Sequence, residues 1–483
     1  MHKLLGNYPF MGKTGELPAS ITGFTAHTGR VKPGYLYICI HGEQEDGHNF
    51  AKDAVRKGAF IVVAERPVIL PVPVLYVADT RHFISYFSDR YYGKPSSKLR
   101  ITGITGTNGK TTTAHFLHQI YRTAGIKAAL MGTVGLKVRE RYSKQSLTTP
   151  VAEELHKTLW QLERRGVEAV AMEVSSHALH QKRVEHCRFS AAVFTNLTRE
   201  HLDYHGNMDQ YFQTKTHLFE LLTGDREAVA VINSDDRRAE ALKNSVKQKL
   251  ITYGLFRQAD IKAAEIVSLT SGGSFVRMKS PYGELSFVVR LHGIYNVSNA
   301  LGAAAAALAQ GVEPRDVAAG IEALHHVPGR LEQLPSPPGV RVFLDYAHTP
   351  DGLEKVLQAV NEYPHRRIIH VFGCRGNRDK GKRPQMGKVA EKLADNVILT
   401  SDNPANEDPC QIAADIAREM ETKPSVIPDR EQAVRYALQI ACPGDIVLIT
   451  GKGRENYQII GNIATPYSDI QSVSNSLQPR DGS

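Results

Sequence analysis

The stretch Ile101-Thr-Gly-Ile-Thr-Gly-Thr-Asn-Gly-Lys-Thr-Thr-Thr113 constrains the fold more than any other. Leu99 and Ile101 alternate with Arg100 and Thr102 in the period of a strand. Beyond Gly109-Lys110, the residues Leu117, Ile120 and Tyr121 recur at helical spacing. Gly106, Thr107, Asn108 and Gly109 therefore fall where a strand turns into a helix N-terminus, whose unpaired N–H groups face outward and can hold a triphosphate. Lys110 would reach the β/γ-phosphates, and the hydroxyl of Thr111 or Thr112 would ligate Mg²⁺. Only two residues separate Gly106 from Gly109, where the usual nucleotide loop has four. The cradle is a shortened one.

At 483 residues the chain is long for one core, so several domains are expected. Its 42% hydrophobic and 23% charged residues describe an ordinary soluble protein. It has no run of 18 or more apolar residues and no signal-like N-terminus, so no membrane insertion is expected. The five cysteines, Cys39, Cys187, Cys374, Cys410 and Cys442, are scattered and form no CxxC pair. They read as reduced thiols of a cytoplasmic protein. The net charge of +9 is spread, with no Lys/Arg block interleaved with aromatics, so nucleic acid is not an expected partner.

Residues 1–98 read as a small α/β domain with strands at Gly34-Tyr-Leu-Tyr-Ile-Cys-Ile40, Ala59-Phe-Ile-Val-Val-Ala64 and Val74-Leu-Tyr-Val77. Pro95-Ser-Ser-Lys98 reads as a linker. From 99 to 325 strands alternate with helices, which argues a mostly parallel sheet with its site at the strands' C-terminal ends. A hairpin around Pro281-Tyr-Gly283 and an alanine-rich helix from Asn296 to Ala309 close this part. Residues 326–483 begin a second, Rossmann-like doubly wound alternation. Four strands there empty into the polar loops that begin at Asp345, Gly373, Ser401 and Thr450. The segment Ser474 to Ser483 reads as a frayed end.

Glu173 and His201 each sit just past a strand, where oxygen and nitrogen donors can hold Mg²⁺ beside phosphates. Alone, a strand-end glutamate is more often a surface carboxylate, and a lone loop histidine is more often solvated. Lys215 reads as one lysine on the solvated face of an amphipathic helix. Ser175, Ser176 and His177 have no Gly-x-Ser-x-Gly elbow around them, so serine hydrolysis is set aside. Pattern alone stops at a multidomain ATP-using enzyme whose acceptor is not named.

Gly106-Thr-Asn-Gly-Lys-Thr-Thr112, Met172-Glu-Val-Ser-Ser-His177, Asn196-Leu-Thr-Arg-Glu-His-Leu-Asp-Tyr-His-Gly206, Pro328-Gly-Arg330, Asp345-Tyr-Ala-His-Thr-Pro350 and Gly451-Lys-Gly453 occur in this order. Together they resemble the Mur ligases, over about residues 20 to 470. Asp402-Asn-Pro404 and the 378–384 run narrow the likeness to the tripeptide synthetases of that family. The resemblance implies three domains: 1–98 for a uridine nucleotide, 99–325 for ATP and 326–483 for an incoming amino acid. It implies ATP-dependent activation of UDP-N-acetylmuramoyl-L-alanyl-D-glutamate as an acyl phosphate, followed by amide formation with a diamino acid in peptidoglycan precursor synthesis. ATP and Mg²⁺ are the implied cofactors, and a monomer is the implied state.

Carried over residue by residue, the likeness makes Lys110, Lys215, His201 and Glu173 catalytic. Thr111, Glu173, His201 and Lys215, the last as a carbamate, become metal ligands. Gly106 to Thr112, Asn299, Arg330 and Asp345 become ATP contacts. Thr28, Thr148, Thr149, Ser175, Gln181 and Arg183 are implied to contact the nucleotide-linked dipeptide. Arg378, Asp402, Asn403, Ala405, Gly451 and Glu455 are implied to contact the amino acid.

Two departures stand out. Members that add meso-diaminopimelate typically read Asp-Asn-Pro-Arg, and this chain reads Asp402-Asn-Pro-Ala405. L-lysine is therefore the favoured amino acid, with Arg454 the candidate to supply a cation if diaminopimelate is used. His27-Thr-Gly-Arg30 stands where relatives carry Asp-Ser-Arg. The alternative is thus a related ligase acting on a different acceptor, folylpolyglutamate-like or of a secondary pathway.

Overall fold

The strand that feeds the glycine loop, Arg100–Thr105, lies in the middle of an eleven-stranded sheet in the computed structural model. Residues 1–42, 45–143, 145, 147–222, 227–270 and 272–477 are described. Arg100–Thr105 pairs in parallel with Ala169–Glu173 on one side and Ala191–Phe194 on the other. The parallel part extends through Ala128–Gly132 at one end and through Val229–Asn233, Lys249–Gly254 and Ile261–Ser268 at the other. Antiparallel strands finish both ends: Gly135–Val138 with Arg141–Ser143, and the expected hairpin, Ser274–Ser280 with Gly283–Val289. Sequence reading missed Ala128–Gly132, a short apolar run without alternation, and also Lys249–Gly254, Ile261–Ser268 and the pair at 135–143, where polar residues break the apolar runs.

Strand alternation splits the core across the sheet. Ile101, Val170 and Met172 pack on one face with Leu155, Leu159 and Leu218. Ile104, Ala169 and Ala171 pack on the other with Phe116, Leu117 and Ile120. On that second face Ile294–Ala309 lies against Lys110–Thr123. Its fully buried alanines 303–307 let backbone approach backbone closely. A Cβ on Gly302 would stand 2.9 Å from the Tyr253 ring, so bulk is excluded there.

A five-stranded sheet precedes this one, in the order Gly12–Thr14, Val74–Tyr76, Ala59–Ala64, Tyr35–Ile38, Gly23–Thr25. Pro95–Lys98, expected as a linker, is instead a single 3₁₀ turn with Pro95 and Ser96 buried. Ser96 Oγ accepts from the Arg188 amide at 3.1 Å, which docks the turn on the central sheet.

The last sheet has six strands, in the order Glu332–Leu334, Arg341–Asp345, Ile446–Thr450, Ile368–Phe372, Asn396–Leu399, Ser425–Val426. All pair in parallel except the first. The four polar loops therefore leave the same edge, as the alternation predicted. A hairpin that sequence reading missed, Tyr457–Ile460 with Ile463–Pro466, closes over that edge. Ser474–Leu477, expected to fray, belongs to the helix Asp469–Leu477, and residues 478–483 lie outside the described residues.

Candidate functional site

Gly106 and Gly109 shape the loop at positive φ, 145° and 87°. A Cβ would meet Thr195 Oγ1 at 1.9 Å from Gly106 and Asn299 Oδ1 at 2.3 Å from Gly109. Only glycine satisfies both the conformation and the clearance. The Asn108 amide donates to Asn196 Oδ1 at 2.9 Å, and the Thr107 amide to the Asn196 carbonyl at 2.9 Å, so the loop is fixed from the neighbouring strand end.

Two lysines converge on this loop. Lys110 Nζ donates to the carbonyls of Gly106 and Thr107, both at 2.8 Å, and Lys215 Nζ donates to the same Gly106 carbonyl at 2.9 Å. Among the described residues no carboxylate lies within ion-pair distance of either. Burial pulls the Lys110 ammonium down to about 8, with Glu173 opposing. Burial, then the nearby Lys110 charge, pulls Lys215 well below the ordinary lysine range. The solvated face expected for Lys215 on residue-level reading is overturned: its exposure is 1%. Tyr211, Lys215, Leu218 and Phe219 are the buried residues of the helix Met208–Glu220. The lysine thus sits in the i, i+4, i+7, i+8 stripe, a spacing that was readable in the sequence.

Glu173, fully buried, accepts from Thr111 Oγ1 at 3.0 Å and from the Thr133 amide and hydroxyl at 2.9 and 3.1 Å. His201, at φ 56°, has a buried Nδ1 with no hydrogen-bond partner among the described residues. Burial, with His177 and Lys215 adding to it, holds its imidazole far below the usual histidine range and hence neutral. A hydroxyl, a carboxylate and a neutral imidazole nitrogen are a donor set that fits Mg²⁺, although among the described residues no three His, Cys, Asp or Glu side chains form a metal cage.

The last sheet closes onto this loop. Arg330 donates to Thr111 Oγ1 at 3.0 Å, and Asn108 Nδ2 donates to Asp351 at 2.7 Å. Lys382 Nζ, almost fully buried, pairs with Glu200 at 3.2 and 3.3 Å. Arg199 pairs with Asp379 at 2.9 Å, and Arg378 with Asp203 at 3.2 Å. Asn299, Arg330, Asp345, Thr111 and Thr112 line one cavity beside Asn108 and Gly109, so these expected ATP contacts do come together.

A second cavity, of about 680 Å³, joins the two halves. Thr133, Thr148 and Gln145 form its central-sheet wall, and Tyr346, Arg454, Glu455 and Tyr457 form the other, with Arg330 between. Thr149 is turned inward: its hydroxyl donates to the Glu173 carbonyl at 2.9 Å and accepts from the Ser175 amide at 3.1 Å. Ser175 caps the helix Ser176–His180, and Arg183 donates to Gln181 at 2.6 Å and to the Thr149 carbonyl at 2.9 Å. Thr28 lies apart, in the turn Thr28–Arg30. There His27 Nδ1 accepts from the Gly29 amide at 3.1 Å, and Arg30 reaches Glu154 at 2.8 Å.

The amino-acid loops meet behind the second cavity. Asn403 Nδ2 donates to Glu455 at 3.2 Å, and Gly451 faces the buried Asp402. Ala405, at φ 50°, is held by hydrogen bonds to the hairpin at Ile459 and Gly461. Arg454 is engaged by Glu332, with Nε at 2.7 Å. Sequence reading missed Arg375, Tyr346 and Lys452. All three follow buried strands at the loop edge, and that position was the available signal.

Three family models match in chain order. They are the Mur ligase family catalytic domain at 20–92, the Mur ligase middle domain at 104–307 and the Mur ligase glutamate ligase domain at 329–453. The chain belongs to the Mur ligase family. A relative from Geobacillus kaustophilus (strain HTA426), named UDP-N-acetylmuramoyl-L-alanyl-D-glutamate--2,6-diaminopimelate ligase, is 45% identical, covering 91% of each chain. A protein of the same name from Geobacillus thermodenitrificans (strain NG80-2) is 42% identical over 95% of this chain and 97% of its own. A solved structure with that ligase name superposes with a TM-score of 0.67 at 32% identity, covering 95% and 94% of the two chains. A MurF structure from Acinetobacter baumannii, at 19% identity and TM-score 0.69, shares the fold, covering 96% and 94%. Among the described residues no helix is long and apolar enough to cross a membrane.

Proposed function

We propose that the protein is an ATP-dependent ligase that joins a diamino acid to UDP-N-acetylmuramoyl-L-alanyl-D-glutamate through an acyl phosphate, in peptidoglycan precursor synthesis. One observation carries the reading. The loop on which the two buried lysines converge borders one cavity, and Arg330, which lines that cavity, also lines the second one, walled by Tyr346, Glu455 and Tyr457. A polyanion in the first cavity and an amine in the second would meet at Arg330.

In this reading the loop amides and Lys110 bind the triphosphate, with Asn299, Arg330 and Asp345 around the nucleotide. The γ-phosphoryl group passes to the D-glutamyl carboxylate, releasing ADP. Nitrogen then attacks the acyl carbon, the C–O bond to phosphate breaks, and the amine loses a proton. A carboxylate is a poor electrophile, and phosphorylation supplies its leaving group. Thr148, Ser175, Gln181 and Arg183 hold the dipeptide, and Thr28 the uridine. Arg378, Asp402, Asn403, Ala405, Gly451 and Glu455 form the amino-acid site. Lys215, kept neutral by burial, is the amine that takes up CO₂: an N–C bond forms and one proton leaves. Thr111, Glu173, His201 and the resulting carbamate would hold Mg²⁺, which supplies screening between the two anions when bound. The division at 1–98, 99–325 and 326–483, the monomeric state and a cytoplasmic location belong to the same proposal. Diaminopimelate is the amino acid in the relatives' names, and Ala405 is the residue that favours lysine.

The test is phosphate release with ATP, Mg²⁺, UDP-N-acetylmuramoyl-L-alanyl-D-glutamate and either meso-diaminopimelate or L-lysine. Release that needs both the dipeptide and an amino acid supports the reading. Release that ignores the dipeptide, or none at all, moves the case to a different acceptor and to the altered 27–30 turn.

A further inference from the structure

Behind Tyr346 and Glu455 lies a cluster of four charges. Arg375 donates to Glu455 Oε1 at 2.6 Å and to the Tyr346 hydroxyl at 3.2 Å, with its Nε 3.6 Å from Asp402. Lys452 Nζ lies 3.3 Å from Glu455 and 3.6 Å from Asp402 and donates to Asn403 at 2.9 Å. Asp402 is completely buried, and among the described residues neither of its carboxylate oxygens has a hydrogen-bond partner; nor does Arg375 Nε. A buried carboxylate and a guanidinium N–H, both left unmade, mark a place where a ligand completes the bonding.

The loops that carry these groups are in direct contact. The Gly376 amide donates to the Asn403 carbonyl at 2.9 Å, and a Cβ on Gly376 would stand 1.8 Å from the Pro404 carbonyl. Residues 375 and 402–405 therefore pack together behind the cavity that Tyr346 and Glu455 line. Ala405 brings no charge to it, and Arg454 is tied to Glu332. Arg375 is the guanidinium behind Glu455, and its Nε has no hydrogen-bond partner among the described residues.

Charge decides what this space accepts. Two cations and two carboxylates balance. A side chain ending in ammonium alone adds one uncompensated positive charge and competes with Arg375 for Glu455. A side chain that ends in both ammonium and carboxylate adds no net charge. Its ammonium takes Asp402 and Glu455 while its carboxylate gives Arg375 a new, forked partner.

We propose that Arg375 is the specificity-determining residue for the incoming amino acid, binding a carboxylate at its far end. This rests on the ligase reading above and selects diaminopimelate over lysine within it. The experiment measures kcat and KM for meso-diaminopimelate and L-lysine in the wild type, Arg375→Ala and Arg375→Lys, with the KM for ATP as the check on an intact fold. The wild type should favour diaminopimelate. Arg375→Ala should raise the diaminopimelate KM by roughly 10- to 100-fold, the value of a charge-assisted hydrogen bond, and should improve lysine by freeing Glu455. Arg375→Lys should recover part of the discrimination. A wild type that prefers lysine overturns the inference, as does an equal loss with both amino acids. If the wild type is active with diaminopimelate but the ratio does not move in Arg375→Ala, only this inference falls. If it is silent with both, the ligase reading falls too.

Discussion

The two charged regions of the molecule are built on opposite plans. At the glycine loop Lys110 and Lys215 share one backbone carbonyl and have no carboxylate counterion among the described residues. In the proposed amino-acid pocket Arg375 and Lys452 face Asp402 and Glu455 at 2.6–3.6 Å. In the first site burial makes ammonium charge costly until an anion arrives and pulls Lys215 toward its neutral form. The second is already neutral and is completed only by a ligand that is itself neutral there. One therefore fits polyphosphate and the other an amino acid.

The comparison breaks most sharply at the lysines. Removing either should abolish most phosphoryl transfer: Lys110→Ala and Lys215→Ala are expected to cut kcat by roughly 10³-fold or more, as loss of a key electrostatic group does. Lys215→Ala alone should regain part of its activity with added short carboxylates, because what it loses is the carbamate, an anion and not a cation. Full activity in Lys215→Ala would remove the carbamate from the account.

The seam between the two regions comes next. Lys382→Met leaves Glu200 buried without its partner, at a cost on the order of 3 kcal/mol. Burial already pushes that carboxyl up, with Lys382 opposing. The KM for ATP should rise roughly 100-fold, because Arg330 and Asp345, carried by the last sheet, line the same cavity as Asn108 and Gly109 and loosening the seam would withdraw them. Limited proteolysis of the 326–331 connection should quicken in parallel.

The smallest effect lies on the lysine helix itself, two residues beyond Lys215. His217 is raised to about 9 by its hydrogen bond to Glu185, with burial opposing and Glu220 adding. Its folded value exceeds the ordinary 6.5, so its stabilisation is complete below pH 6.5 and is lost as pH rises through 9. The pair is partly exposed, so about 1 kcal/mol is expected. His217→Gln should lower the denaturation midpoint at pH 6 and match the wild type at pH 10.

The two regions also differ in how legible they were. The glycine loop was readable because strand period, glycines and helix period follow one another between Leu99 and Tyr121, and backbone geometry alone makes such a loop. The parallel sheets followed from the same alternation. Lys215 was misread from residue type, since a lysine is normally solvated, although Tyr211, Leu218 and Phe219 place it in the apolar stripe. The amino-acid pocket was half legible. Asp402 and Glu455 were singled out, but Arg375, which contacts both, was passed over. Its partners, Tyr346 and Glu455, lie 29 and 80 residues away, and no local period links them. Arg454 drew attention by position, yet Glu332, 122 residues earlier, holds it.

The most direct test of the whole account follows oxygen from one region to the other. UDP-N-acetylmuramoyl-L-alanyl-D-glutamate labelled with ¹⁸O in the D-glutamyl side-chain carboxylate is turned over with ATP and the preferred amino acid, and the released phosphate is weighed by mass spectrometry. If the carboxylate is phosphorylated beside Lys110 and the acyl carbon is then attacked from the Glu455 side, each phosphate released with an amide carries one labelled oxygen. Unlabelled phosphate accompanying amide formation would contradict the account.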